Sequence, residues 1–159
     1  MKVWWIAVLI LAAAIVVLLL RPRPTHGTAL VRQKLKILLN DPNDKARETA
    51  AIELVNSISP PVGERLTERS DFNGDGIIDD LALAMSREKV DAIRIELAML
   101  APVAWDKKLI QPAKDLCKGA ESQEVRWEMM RYMKDIPDKA ALAEIQKVCR
   151  TSASAGARK

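Results

Sequence analysis

The chain has 159 residues, a net charge of +4 and 49% hydrophobic residues, but only one histidine. A single histidine excludes most Ser-His-Asp, Cys-His and metal-hydrolase schemes, and the chain has no Walker loop, GxGxxG or HExxH motif. Basic and acidic residues are interspersed and aromatic residues are few, which disfavours nucleic-acid binding. We therefore expect a protein without catalytic activity, small-molecule substrate or nucleic-acid partner.

An apolar run over residues 3–20 contains no charge, glycine or proline. As a helix it would extend about 27 Å, close to the thickness of a bilayer core. Two tryptophans at its start and two arginines after its end are typical of membrane interfaces. The run is longer than the core of a cleaved signal peptide, and the RPRP that follows is a poor cleavage context. We predict a single transmembrane anchor over residues 1–21.

The rest of the chain has the periodicity of helices and no strand-like alternation. A proline-rich linker at 22–27 precedes a helical domain over 28–150, and the small polar residues 151–159 predict a disordered tail. The predicted fold class is all-α. Apolar spacing and capping residues such as Thr28, Asp44, Ser86 and Ser122 predict helices over 29–39, 44–56, 62–69, 86–101, 106–117, 122–134 and 138–150, with a short helical segment at 81–85.

Three of these helices share a pattern centred on Arg47, Arg94 and Arg126. An apolar residue precedes each arginine, and further apolar residues follow it at offsets of three, four and seven. These offsets place one buried stripe on each helix. The stripes are Ala50, Ala51 and Leu54; Leu97, Ala98 and Ala101; and Met129, Met130 and Met133.

The pattern resembles the first helix of the HEAT-like repeat family, D-x-x-V-R-x-x-A-x-x-x-L, most closely at residues 41–54. Residues 88–101 and 121–133 match more loosely, because Leu97 and Met129 replace the small residue. The resemblance covers residues 28–150 and implies a short α-solenoid of about three helix pairs sharing one core. It also implies a role in protein interaction without chemistry. An irregular helical bundle is the alternative.

An acidic loop over residues 71–80 has oxygen donors at alternate positions. It resembles the EF-hand calcium loop, in which such positions supply ligands and a glycine permits the turn. The resemblance implies a structural Ca²⁺ site, although the twelfth position, normally glutamate, is Ala82. The alternative is an acidic turn that faces water. The implied metal ligands are Asp71, Asn73, Asp75, the carbonyl of Ile77, and Asp79.

The two cysteines, Cys117 and Cys149, both lie on the apolar sides of predicted helices. Two interpretations stay open at this stage. They are either buried thiols that pack as small apolar side chains, or a disulfide that joins the last two repeat units.

Together these patterns predict a non-catalytic, membrane-anchored accessory or scaffold subunit that binds an integral membrane protein complex through its anchor and helical surface. A calcium-responsive, membrane-tethered binding module is the alternative. Basic residues after the anchor favour a cytoplasmic domain. The weak calcium loop and the cysteine pair favour the periplasmic or extracellular side, which is the side we expect.

Overall fold

The computed structural model describes residues 26–58 and 69–151. This part of the chain contains seven α helices, two 3₁₀ segments and no strand. The 3₁₀ segments are Arg69–Asn73 and Lys107–Leu109. The helices are α1 (His26–Asn40), α2 (Asp44–Ile58), α3 (Ile77–Arg87), α4 (Asp91–Leu100), α5 (Ile110–Gly119), α6 (Gln123–Met133) and α7 (Lys139–Thr151).

The helices pack in two layers, alternating between them along the chain. Helices α1, α3, α5 and α7 are neighbours in one layer, which we call the odd layer. Helices α2, α4 and α6 are neighbours in the other, the even layer, and α1 packs on α2 while α6 packs on α7 across the interface. The apolar stripes of both layers therefore face one shared core, as expected where a single helix pair is too small to bury its own apolar face.

The stripe predicted from the three arginine-centred helices lies in this core. In α2 and α4, the residues three, four and seven positions after the arginine are all buried. In α6, Met129 and Met133 are buried, but Met130 is only half-buried. A period of 3.6 residues thus predicted the core positions of the even layer, with one exception at its last helix.

Of the capping residues predicted from the sequence, Ser122 caps its helix, whereas Asp44 and Ser86 do not. Ser122 caps α6 as predicted, because its hydroxyl accepts a hydrogen bond from the amide of Val125 at 3.2 Å. The side chain of Asn43, rather than Asp44, accepts from the first turn of α2, at the amide of Lys45. Ser86 lies inside α3 and is no cap, since the helix predicted over 86–101 is divided between α3 and α4.

The predicted membrane-spanning helix is not supported. Within residues 26–58 and 69–151, no helix is long and apolar enough to cross a membrane. The longest of these helices, α1 and α2, have 15 residues, about 22 Å against the roughly 30 Å that a bilayer core requires. Both also carry several charged side chains. The fold class is corrected to all-α without a transmembrane helix in the described ranges, and the single-pass localisation is withdrawn with it.

Some predictions concern residues outside the described ranges. The anchor at 1–21, most of the linker, most of the helix predicted at 62–69 and the tail at 152–159 belong to this group. The linker prediction is wrong at its end, because residues 26 and 27 already belong to α1.

The two cysteines form a disulfide. Cys117 on α5 and Cys149 on α7 are both buried, with Cα atoms 4.9 Å apart. The bond closes a separation of 32 residues and joins two neighbouring helices of the odd layer. Of the two interpretations left open by the sequence, the structure therefore favours the covalent one.

Candidate interaction surface

The acidic loop docks onto the first helix. Asp71 is only 6% exposed, and its carboxylate accepts a hydrogen bond from the hydroxyl of Thr28 at 2.9 Å. A Cβ atom added at Gly27 would collide with the same carboxylate, so the Asp71 side chain packs directly against the backbone of Gly27. The first predicted calcium ligand is therefore engaged by α1.

The remaining predicted ligands lie in different surroundings. Asp79 lies in the first turn of α3, where its carboxylate pairs with the ammonium of Lys108 at 2.7 Å. Asn73 and Asp75 are exposed, and Ile77 begins α3, so its carbonyl belongs to the hydrogen-bonding pattern of a helix. Gly76 does adopt the left-handed conformation that the loop pattern predicts, with φ of 77°.

The described residues do not support a calcium-binding description of this protein. Among the described residues, no group of three or more histidine, cysteine, aspartate or glutamate side chains lies close enough together to hold a metal ion. Asp71 instead connects the Arg69–Asn73 segment to α1, and Asp79 connects α3 to the Lys107–Leu109 segment. The calcium-binding description is therefore withdrawn.

The arginines of the repeated pattern connect the turns between helices. Arg47 donates through Nη1 to the carbonyl of Asp41, six residues earlier, at 3.0 Å. Its Nε and Nη2 donate to the two carboxylate oxygens of Glu88 at 3.1 and 3.2 Å. Glu88 precedes α4, so Arg47 joins the turn before its own helix to the turn before the next helix of the even layer.

Arg94 repeats this arrangement one helix further on. Its Nε donates to the carbonyl of Glu88, again six residues earlier, at 2.9 Å, and Nη1 donates to Asp91. Nη1 also donates to the carbonyl of Gly119, at the turn before α6. The turns at 40–44, 87–91 and 119–123 therefore lie side by side, along what we call the turn edge.

Arg126 forms the third member of the series. Its Nη1 donates to the carbonyl of Ala120, six residues earlier, at 3.0 Å. Arg126 is 7% exposed, and its Nε has no hydrogen-bond partner among the described residues. The three arginines thus repeat a contact as well as a sequence spacing, because each donates to the carbonyl six residues earlier. In the third unit, the described residues supply no contact from the arginine to a following turn.

Glu88 is the most completely bonded carboxylate of the turn edge. Burial by itself raises the pKa of its carboxyl, but hydrogen bonds from Arg47 and from the amides of Val90 and Lys89 lower the pKa below its usual value. The same pairing raises the pKa of the Arg47 guanidinium. Glu88 is therefore an anion held by one arginine and two amides, which is a structural role.

A groove of about 350 Å³ opens at the turn edge between the first two helix pairs. The pair of Arg47 and Glu88 lines it, together with charged side chains of both signs. Its principal polar groups are already hydrogen-bonded within the fold. The groove is lined by Asp41, Asp44, Arg87, Lys89, Leu38, Leu39 and others.

The outer side of the even layer carries a different arrangement of charge. Glu48 on α2, Glu96 on α4 and Glu128 on α6 form a row across the three helices, which we call the glutamate row. Partial burial raises the pKa of Glu96, and the negative charges of Glu48 and Glu128 raise it further. The three carboxylates of the glutamate row therefore repel one another, with the partly buried Glu96 at the centre.

The odd layer provides a contrast. Two of its carboxylates form ion pairs with lysines of neighbouring elements: Asp79 with Lys108, and Glu144 with Lys114. Ile52 follows Glu48 by four residues and Met99 follows Glu96 by three, so each pair lies on neighbouring positions of its helix surface. Ile52 is exposed and Met99 is partly buried. The outer face of the even layer thus combines mutually repelling carboxylates with accessible apolar area.

Sequence reasoning identified the three arginines only as a spacing pattern. It predicted neither their contacts between turns nor the glutamate row. The glutamate row was available as a signal, because a glutamate follows each of Arg47, Arg94 and Arg126 by one or two residues. What the sequence lacked was the side-by-side placement of α2, α4 and α6.

No protein-family model matches this chain, and the searches found neither a similar curated protein nor a similar solved structure. The resemblance to HEAT-like repeats therefore stays a prediction.

Proposed function

We propose that this protein is a non-catalytic scaffold that binds another protein through the outer face of its even layer. The observation that carries the proposal is the side-by-side packing of α2, α4 and α6, which brings Glu48 and Glu128 close enough to the partly buried Glu96 to repel it. Holding like charges together costs folding free energy. A surface that does so is suited to a ligand that brings the opposite charge.

The chemistry of the face specifies the partner. A lysine- or arginine-bearing segment would neutralise the glutamate row, and its apolar side chains would cover Ile52 and Met99. Complementary charge mainly sets specificity and association rate, while the apolar contacts supply affinity. The expected partner is therefore a cationic, partly apolar protein segment.

The proposal is tested by affinity purification of the tagged full chain, with quantitative mass spectrometry of the proteins that accompany it. The test variant carries Glu48→Gln, Glu96→Gln and Glu128→Gln. The control variant removes the same number of carboxylates from the odd layer, as Asp80→Asn, Asp115→Asn and Glu144→Gln.

We expect the test variant to lose a specific partner that both the wild type and the control variant retain. Raised salt should weaken that partner's retention as well, since exposed charges are screened within about 10 Å at 0.1 M salt. Equal recovery of all partners by the wild type and both variants would contradict a binding role for this face.

A further inference from the structure

The even layer has an open end at α6. Helix α6 packs against α4 within its layer and against α7 across the core, and the described residues supply no further helix of the even layer. The odd layer, in contrast, extends one helix further, to α7. Among the described residues, α6 therefore has no even-layer helix on the side away from α4, whereas α2 is followed there by α4 and α4 by α6.

The repeat register shows what such a neighbour covers. The residue four positions after the arginine is Ala51 in α2 and Ala98 in α4, and both are completely buried. The equivalent residue of α6 is Met130, which is only half-buried. Three residues before it, on the same side of the helix, Trp127 is 63% exposed. An apolar patch thus lies where the first two units have a packed neighbour.

The repeat also shows which polar group is missing. Arg47 and Arg126 both donate through Nη1 to the carbonyl six residues earlier. In the first unit, Nε of Arg47 then donates to the Glu88 carboxylate of the following unit at 3.1 Å. In the third unit, Nε of Arg126 is buried without a hydrogen-bond partner among the described residues. Arg94 of the second unit donates to the backbone carbonyl of Gly119 instead, so Arg47 alone shares the Nη1 contact of Arg126. By comparison with Arg47, the missing acceptor corresponds to the carboxylate of Glu88.

We propose that the open end of α6 binds a helix of a partner protein, with an aspartate or glutamate just before that helix begins. The carboxylate would accept from Arg126, as Glu88 accepts from Arg47, and the apolar side of the helix would cover Trp127 and Met130. The proposal rests on the scaffold role but uses other residues than the glutamate row, whose member Glu128 lies on the same helix.

Two other occupants fit the site less well. Residues 152–159 follow α7 and contain no aspartate or glutamate, so their side chains cannot replace the carboxylate of Glu88. In a second copy of the chain, Glu88 is already bonded to its own Arg47. A buried donor without an acceptor is unfavourable, so an acidic partner gains affinity by satisfying it.

The test is photo-crosslinking of the full chain in cells, with Met130→p-benzoylphenylalanine as the probe and the same group at exposed Lys147 as the control position. The crosslinked segment of the partner is identified by mass spectrometry. It is then synthesised in two forms, as the native peptide and with its acidic residue replaced by the matching amide, and each is titrated into the full chain.

We expect a Met130-specific crosslink to a helical segment that follows an acidic residue. The amide peptide should bind about tenfold more weakly than the native one, as for a lost hydrogen bond to a charged group. That difference should vanish in the Arg126→Gln chain. If this variant does not fold, Trp127→Glu, at an exposed position, should weaken the native peptide by a similar factor.

Three results would overturn the proposal: crosslinks to residues 152–159 of the same chain, crosslinks to a second copy, or no Met130-specific crosslink. Equal affinity of the two peptides would overturn it as well. Failure here is distinguishable from failure of the scaffold role, because partner capture through the glutamate row does not depend on Met130.

Discussion

Arg47 on α2 forms a bidentate ion pair with Glu88, which precedes α4. Nε and Nη2 of the arginine lie 3.1 and 3.2 Å from the two carboxylate oxygens. These residues are 41 positions apart, so the pair fixes one helix pair against the next. The amides of Lys89 and Val90 complete the bonding of the carboxylate. We regard this contact as the principal polar connection between the first two units.

Glu88→Gln is expected to destabilise the fold by about 3 kcal/mol, because removing one partner of a buried ion pair leaves the other charge uncompensated. The matched control is Glu53→Gln. Glu53 pairs with Lys34 at a more exposed site, so the expected loss is under about 1 kcal/mol. Urea unfolding followed by circular dichroism measures both values, and equal losses would contradict the assignment.

The pH dependence of the Glu88 contribution has a defined sign. Because folding lowers the pKa of Glu88 below its ordinary value of 4.5, its stabilising effect is complete above that value. The effect is lost as the pH falls through the lowered pKa. The difference in unfolding free energy between the wild type and Glu88→Gln should therefore shrink below about pH 4.5.

Replacing the disulfide with serines, as Cys117→Ser and Cys149→Ser, is expected to cost about 3 to 4 kcal/mol. The figure follows from loop-closure entropy for a separation of 32 residues. Reductant should lower the melting temperature of the wild type and leave that of the variant unchanged. Free thiols in the unreduced wild-type chain after denaturation would contradict the bond.

Glu96→Gln is expected to stabilise the fold at neutral pH by on the order of 0.5 kcal/mol, as for other exposed charge interactions. Because folding raises the pKa of Glu96, its ionisation opposes folding, and wild-type stability should fall as the pH rises from 4.5 through that raised value. The control is Glu144→Gln, where the lost carboxylate is paired with Lys114 and no gain is expected. Thermal melts between pH 4 and pH 8 measure both effects.

Gly27→Ala is expected to destabilise the fold by about 1 to 3 kcal/mol, although alanine favours helices more than glycine does. The added Cβ collides with the carboxylate of Asp71. Gln33→Ala, at an exposed position of the same helix, serves as the control. Combining Gly27→Ala with Asp71→Ala should cost less than the sum of the two single changes, and strict additivity would contradict the contact.

The sequence predicted the parts of the fold that depend on neighbouring residues. The buried stripes of α2 and α4 and the cap at Ser122 follow from helical periodicity and local hydrogen bonding. The acidic loop shows the limit of such reasoning. Its oxygen spacing resembled a calcium loop, but Asp71 is engaged by Thr28, a residue 43 positions away that no local pattern connects to it.

The candidate interaction surface depends on the same kind of distant placement. Glu48, Glu96 and Glu128 are separated by more than thirty residues each along the chain, and they interact only because α2, α4 and α6 lie side by side. The open end at Arg126 likewise becomes visible only when its contacts are compared with those of Arg47. Periodicity predicts which helix face is buried, but it does not order the helices within a layer.

Zero-length crosslinking with a carbodiimide, which couples carboxylates directly to amines, tests the scaffold role most directly. Applied to the purified complex of the full chain, it should join partner lysines to Glu48, Glu96 or Glu128, and these products should disappear at raised salt. Partner lysines joined only to odd-layer carboxylates such as Asp80 and Glu144 would contradict binding through the even layer.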